Sequence, residues 1–386
     1  MRGQTIERPL SATRDAPVAH HVLNMPDHKL DTRSSRVRRK PSEPARFLLA
    51  LAACMMFSGC GGGGSSGSTP TGPASAIVLA YMDQSDASQA DAKSSAMPAT
   101  AISMDVYLVG ADGSVTGGAP AGLLSGIAAA HKDAWACVSN YGATDFDPAI
   151  AHGAIVTHQA ATLANLVALA KTAQLAGINI DFEGLYPADR AAYTAFVTAL
   201  AAQLHAIGSR LMLSVPAKSA DDPSDAWGWP YDYAAIGQQA DLIQDMTYAQ
   251  HVPSGAPGPI AGSDWMQASL QFAVSQIPPS KLLLGLPAYA GDWNLTANTG
   301  AEIALNGVPA LLASTGATVQ WDATTNSAHF SYTSTDGSSH EVWYDTPQGL
   351  QIKAHFAKTM QLAGVSMWVL GSEDVSFWTA VKAGLN

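Results

Sequence analysis

The feature that most restricts this fold is an alternation. Eight short apolar runs recur along the chain: Ala76–Tyr81, Ser103–Val109, Ala134–Ser139, Gly177–Glu183, Arg210–Val215, Asp241–Tyr248, Leu282–Pro287 and Val365–Leu370. Between most of them lie stretches of helical periodicity. Leu163, Leu166, Val167 and Ala170 make one apolar face. Ala192, Phe196, Leu200, Leu204 and Ile207 make another, which Gly208 closes. Strands separated by helices pair in parallel and are covered on both sides. Eight such units within residues 76–386 predict an α/β chain folded as one (β/α)₈ TIM barrel. A doubly wound open sheet is the alternative, but no glycine-rich phosphate turn follows the first run. The interval between the seventh and eighth runs is too long for one helix. It holds Trp321 to Tyr344, with His329-Phe330-Ser331-Tyr332 alternating ahead of Asp336-Gly337. This predicts a small α+β insertion at about 291–344, bearing a β-hairpin and walling one side of a cleft.

The fourth run carries the chemistry. Side chains alternate across a strand, so Asn179, Asp181 and Glu183 share one face and Ile178, Ile180 and Phe182 the other. In a barrel the outer face packs on helices, which suits Ile, Ile and Phe. The polar trio then points inward. An inward pair of carboxylates is costly without partners or a task. Glu183 ends its run, where barrel active sites are built. A carboxyl beside another has a raised pKa and keeps a proton to donate near neutral pH. The bland alternative is an acidic strand end on an ordinary barrel.

Charge and cysteine content narrow the function. The first 60 residues hold 10 Lys and Arg against 5 Asp and Glu; from chain totals of 20 and 31, the rest holds 10 against 26. An acidic body argues against nucleic acid as a partner, since phosphate binding needs clustered cations. It suits a neutral sugar polymer. Of the three cysteines, Cys54, Cys60 and Cys137, one lies in the body, so no disulfide framework forms there. Cys137 reads as a small buried residue, with a catalytic thiol as the alternative. The histidines are scattered without metal-ligand spacing, so no metal and no cofactor is expected. No Gly-x-Ser-x-Gly nucleophile elbow occurs.

The front of the chain is excluded from the fold. Phe47 to Phe57 is apolar, preceded by Arg33, Arg36, Arg38, Arg39, Lys40 and Arg46, and about half the ~20 residues a membrane span needs. Residues 1–60 therefore read as a leader with a signal peptide, and Met25 is a plausible alternative start. Phe57-Ser58-Gly59-Cys60 resembles a bacterial lipobox, with Phe57 where leucine is usual. Cys60 is then the lipidation site and residues 61–75 a Gly/Ser-rich tether. The expected location is the cell envelope, lipid-anchored at the outer membrane or periplasmic face, or secreted. A plain signal peptide is the alternative.

Ala176 to Glu183 resembles the Asp-Gly-x-Asp-x-Asp-x-Glu signature of glycoside hydrolase family 18, the chitinase family. The Gly-x-Asn-Ile-Asp-Phe-Glu form is similar to its branch of bacterial cell-wall and spore-cortex N-acetylglucosaminidases. Asp112-Gly113-Ser114, Ser139-Asn140-Tyr141, Pro216-Ala217-Lys218, Met246-Thr247-Tyr248, Leu284-Gly285-Leu286-Pro287, Tyr344-Asp345 and Gly364-Val365-Ser366-Met367-Trp368 resemble that branch in order. Two positions depart: Ala176 replaces the first Asp, and Ala249 replaces the acid that usually follows Met-x-Tyr. The resemblance implies a glycosidase acting on β-linked N-acetylglucosamine polymers with retention. Glu183 would protonate the glycosidic oxygen while the substrate's acetamide attacks the anomeric carbon. Asp181 and Tyr248 would hold that acetamide. Trp368 would floor the sugar, with a core tryptophan as the alternative. Met246, Asn179, Asn140 and Lys218 are further substrate-binding candidates. Chitin, peptidoglycan and glycoprotein glycans all fit, and a monomer is expected. A catalytically silent, lectin-like barrel and a structural lipoprotein are the competing readings.

Overall fold

The computed structural model describes residues 76–172 and 175–386. The leader, the tether and Cys60 lie outside the described residues. Eight parallel strands close a barrel: β1 (Ile77–Met82), β2 (Ala101–Val109), β4 (Asp133–Ser139), β5 (Gly177–Asp181), β6 (Arg210–Pro216), β7 (Leu242–Met246), β8 (Leu282–Pro287) and β14 (Gly364–Trp368). Closure is by β1, which pairs with both β2 and β14. The short strand β3 (Val115–Gly117) folds back antiparallel on β2.

The inner and outer faces of the strands separate as the alternation requires. Ile178, Ile180 and Phe182 join the large core between sheet and helices. Full burial of each such side chain contributes about 1.5–3 kcal/mol. The helix Gln159–Thr172 packs Leu163, Leu166 and Ala170 into the same core, with Val167 at its edge. On the helix Arg190–His205 the buried stripe includes Tyr193 rather than Ala192, alongside Phe196, Leu200 and Leu204. Only the first turn differs: the larger side chain is the one covered there. Inside the barrel, Leu79, Trp135, Met212, Leu242 and Leu283 plug the lower end. Gly177 is required at the start of β5, because a Cβ there would lie 2.5 Å from the Trp135 ring and 2.2 Å from the Arg210 carbonyl oxygen.

Between β8 and β14 stands a second, antiparallel sheet. Its strands are β9 (Tyr289–Asn294), β10 (Thr299–Ala304), β11 (Gln320–Asp322), β12 (Ser327–Thr333) and β13 (Ser339–Tyr344), in the order β10-β9-β13-β12-β11. The hairpin expected around Asp336-Gly337 is β12–β13, where Gly337 adopts a left-handed φ of 88° and Asp336 accepts from the Ser338 N–H. One helix, Val308–Thr315, completes the insertion. A buried ion pair fastens it to the barrel: Lys353, on the helix Pro347–Thr359, reaches Asp345 and Ser327.

Candidate active site

The polar residues inside the barrel form two layers. The lower layer centres on Asn179. Its Nδ2 lies 2.9 Å from the Tyr81 hydroxyl, 3.1 Å from Ser103 Oγ and 3.2 Å from Ser214 Oγ. Tyr81 and Ser214 are themselves bonded at 2.8 Å. Every group in this layer has a partner, and Asn179 is wholly buried.

The upper layer opens into a cavity. Asp181 and Glu183 line it together with Met246, Tyr248 and Trp368. Asp181 ends β5, and Glu183 follows two residues on, just past the strand. Both are buried, yet Asp181 Oδ1 and Glu183 Oε2 lack hydrogen-bond partners. Burial first, then the nearby Asp181, Asp145 and Asp105 carboxyls, hold the Glu183 pKa well above the carboxylate range. Asp181 is raised too, again chiefly by burial. Buried carboxyls that share one cavity hold their protons more tightly than solvated ones.

The main chain around Glu183 is clamped. Asn140 Oδ1 accepts from the Glu183 N–H at 2.8 Å, and its Nδ2 donates to the Glu183 carbonyl at 2.9 Å. The Tyr231 hydroxyl donates to the Phe182 carbonyl at 2.6 Å. Gly184 then turns the chain with a left-handed φ of 64°, under the Trp227 ring. An acid held at its own backbone keeps its carboxyl aimed without using that carboxyl's hydrogen bonds.

The sequence-derived candidates thus fall into three places. Glu183, Asp181, Tyr248, Met246 and Trp368 come together at the cavity. The Trp368 ring stands 5.7 Å from that of Tyr81, partly exposed to the opening. The Tyr248 hydroxyl accepts from Gln244 Nε2 at 3.2 Å. Asn140 and Asn179 lie beneath the cavity wall, one clamping the acid's backbone and the other tying the lower layer. Lys218 is placed away from the cavity: its ammonium donates to Asp221, to the Gly228 carbonyl and, at 2.6 Å, to the Tyr231 carbonyl. Its geometry steadies Tyr231, which steadies Phe182. A lysine buried to 5 % exposure with these partners has no proton to spare for a sugar.

The Cys137 thiol is buried 4.0 Å from Asp181, and burial pushes its pKa up, which leaves it unreactive. Among the described residues no group of three or more His, Cys, Asp or Glu is arranged to hold a metal ion. Ala249 sits at a left-handed φ of 57°, directly after Tyr248.

Sequence reasoning missed five cavity residues: Tyr81, Asp105, Tyr141, Phe146 and Ser214. Asp105 left a signal. It is the acid in the apolar run Ser103–Val109, and it follows Ala101 and Ser103 on the inward register. Phe146 comes from a loop and left none.

Comparisons with known proteins agree with this geometry. The family model "Glycosyl hydrolases family 18" matches residues 76–373. The uncharacterized glycosylase YvbX of Bacillus subtilis is 38% identical over 290 residues, covering 74% of this chain and 84% of that protein. The cortical fragment-lytic enzyme of Bacillus cereus is 29% identical over 220 residues, 56% of this chain and 51% of that one. Among solved structures, a chitinase from Chromobacterium violaceum superposes with a TM-score of 0.77 at 38% identity, over 81% of this chain and 99% of that one. A match over most of the barrel, on a site with a buried acid at the end of a strand, assigns the chain: it belongs to family 18 of the glycosyl hydrolases and is a glycosidase.

Proposed function

We propose that the enzyme cleaves β-linked N-acetylglucosamine-containing polysaccharide, chitin-like or peptidoglycan, with retention and with the substrate's own acetamide as nucleophile. The observation that carries this reading is the Glu183 carboxyl: buried, unpartnered at Oε2, fixed through its backbone and open to the cavity. Glu183 donates its proton to the glycosidic oxygen as the bond to the anomeric carbon breaks. The acetamide carbonyl oxygen closes on that carbon and gives a cyclic, positively charged oxazolinium. Glu183, now a carboxylate, takes a proton from water, and the water oxygen opens the ring with net retention.

Asp181 is poorly placed to be a protein nucleophile. Two carboxyls two residues apart on one strand meet a sugar from the same side, whereas attack must come opposite the leaving group. Asp181 instead shares the positive charge of the intermediate, with Tyr248 bonding the acetamide and Trp368 flooring the ring. The similarity to a chitinase and to a cortical fragment-lytic enzyme supports this substrate class. The leader and Cys60 support export and lipid anchoring, and Cys60→Ala should abolish detergent partitioning.

The deciding experiment is turnover of a chromogenic chitobioside and of purified peptidoglycan by the Glu183→Gln variant. The amide keeps the shape and removes the titratable proton. Near-normal turnover of both substrates by that variant would overturn the reading. A lectin-like barrel would bind glycan and turn over neither substrate even with Glu183 intact.

A further inference from the structure

A third carboxyl, that of Asp105, faces the cavity beside Asp181 and Glu183. Asp105 stands on β2, at the residue where the register with β4 shifts. Up to that point Ala101, Ser103 and Asp105 alternate inward. Beyond it Val106 and Tyr107 both pack into the outer core, so the irregularity leaves Asp105 as the last inward side chain of its strand. Ser139 lies close enough to the Asp105 carboxyl to hold its pKa down, and Ser139 is the register partner of Asp181 on the next strand. Asp105, Ser139 and Asp181 therefore form a row across three adjacent strands, with Glu183 beyond.

The groups that face this row are acids and neutral polar residues. Asp83 approaches from the end of β1, Tyr81 from β1, and Tyr141 and Asp145 from the loop after β4. Cys137 lies below, and Tyr248 lies across the cavity. No lysine, arginine or histidine lines the cavity among the described residues. Three carboxyls in one enclosure without a cation cannot all ionise, because each added charge meets the others at low dielectric.

We infer that Asp105 is a positioning residue of the reaction, which keeps Glu183 protonated and confines the site's negative charge to a single carboxylate beside the sugar. The inference rests on the reading of Glu183 as the acid. Burial, then Asp181 and Asp83, raise the Asp105 pKa to about 8, so it shares in the same proton inventory as the pair it faces. Without its competing charge Glu183 gives up its proton more readily, and the enzyme loses its acid at lower pH.

The test is the pH dependence of kcat/KM for the wild type, Asp105→Asn and Asp105→Glu. The alkaline limb should move toward acid by about one pH unit in Asp105→Asn, the shift a single nearby charge produces. It should stay close to the wild type in Asp105→Glu, which keeps the carboxyl. A limb unmoved in the Asn variant would overturn the inference. A structural role alone would lower the rate at every pH equally and would also overturn it. If the Asn variant turns over too slowly to profile, a ¹³C-carboxyl titration of Glu183 in the folded protein reads the same shift, with the resonance identified by its loss in Glu183→Gln. A Glu183→Gln enzyme that stays active removes the reading of the acid itself. An inactive Glu183→Gln beside an unmoved limb removes only the role of Asp105.

Discussion

Two polar layers, one side-chain step apart inside the same barrel, behave in opposite ways. Asn179 and Asp181 are neighbours on one face of β5, both buried. Asn179 sits in a closed network with Tyr81, Ser103 and Ser214. Asp181 and Glu183 are left with oxygens that nothing satisfies. A buried polar group that is fully paired costs little and holds the fold in register. One left unpaired costs about 1–3 kcal/mol, a cost that folding alone gives no reason to retain. Orphaned oxygens occur elsewhere in the fold too, as at Asp245 and Glu373, but Asp181 and Glu183 combine them with an opening to the cavity.

Substitutions on either side of that line should give different kinds of loss. The largest effect belongs to Glu183→Gln, where turnover should fall by about 10²–10⁴-fold while the melting temperature holds or rises. A variant that instead unfolds easily would place Glu183 with the scaffold. Asp181→Asn should come next, with turnover down about 100-fold, as when one stabilising group is removed from a developing charge. Mass spectrometry during its turnover should find no sugar bound to protein. A glycosyl adduct on any Asp or Glu would end the substrate-assisted scheme, whatever the rate.

Asn179→Ala should invert the pattern. It strands the hydroxyls of the lower layer and should cost about 1–3 kcal/mol in urea unfolding, with a smaller loss of turnover than Asp181→Asn. A stable Asn179→Ala protein with abolished turnover would move Asn179 into the site.

The smallest effect is in the pH dependence of stability. Asp181 and Glu183 have raised pKa values in the folded state, so the native protein binds more protons than the unfolded chain. Stability is then fully present below the unfolded carboxyl pKa of about 4 and declines as pH rises through neutrality. Urea unfolding at several pH values should show a shallower decline in Asp181→Asn than in the wild type. Asn179→Ala should leave the slope unchanged, since an amide does not titrate.

The sequence reading went furthest where the argument was periodic. The eight apolar runs became the eight barrel strands, and the long interval after Pro287 became the second sheet. It also placed five candidates on one cavity. Lys218 shows where periodicity stops helping. Its position just past a strand is equally that of a substrate ligand or of a loop tie, and only its three acceptors decide for the tie. Asn140 is similar. Nothing in Ser139-Asn140-Tyr141 says that its amide will grip the backbone of a residue 43 positions later.

What the sequence determines by itself is which face each strand residue takes, because a period of two residues is a local property of the extended chain. That Asn179 and Asp181 share the inward face of their strand follows from that alone. What only the tertiary structure decides is which inward groups find partners. Tyr81, Ser103 and Ser214 come from three other strands and converge on Asn179 after the barrel closes. The same closure gathers the carboxyls of Asp105, Asp181 and Glu183 around one cavity, which no lysine, arginine or histidine lines among the described residues. Charge sharing falls with distance and rises with exclusion of water, and both are set by packing between strands far apart in the chain.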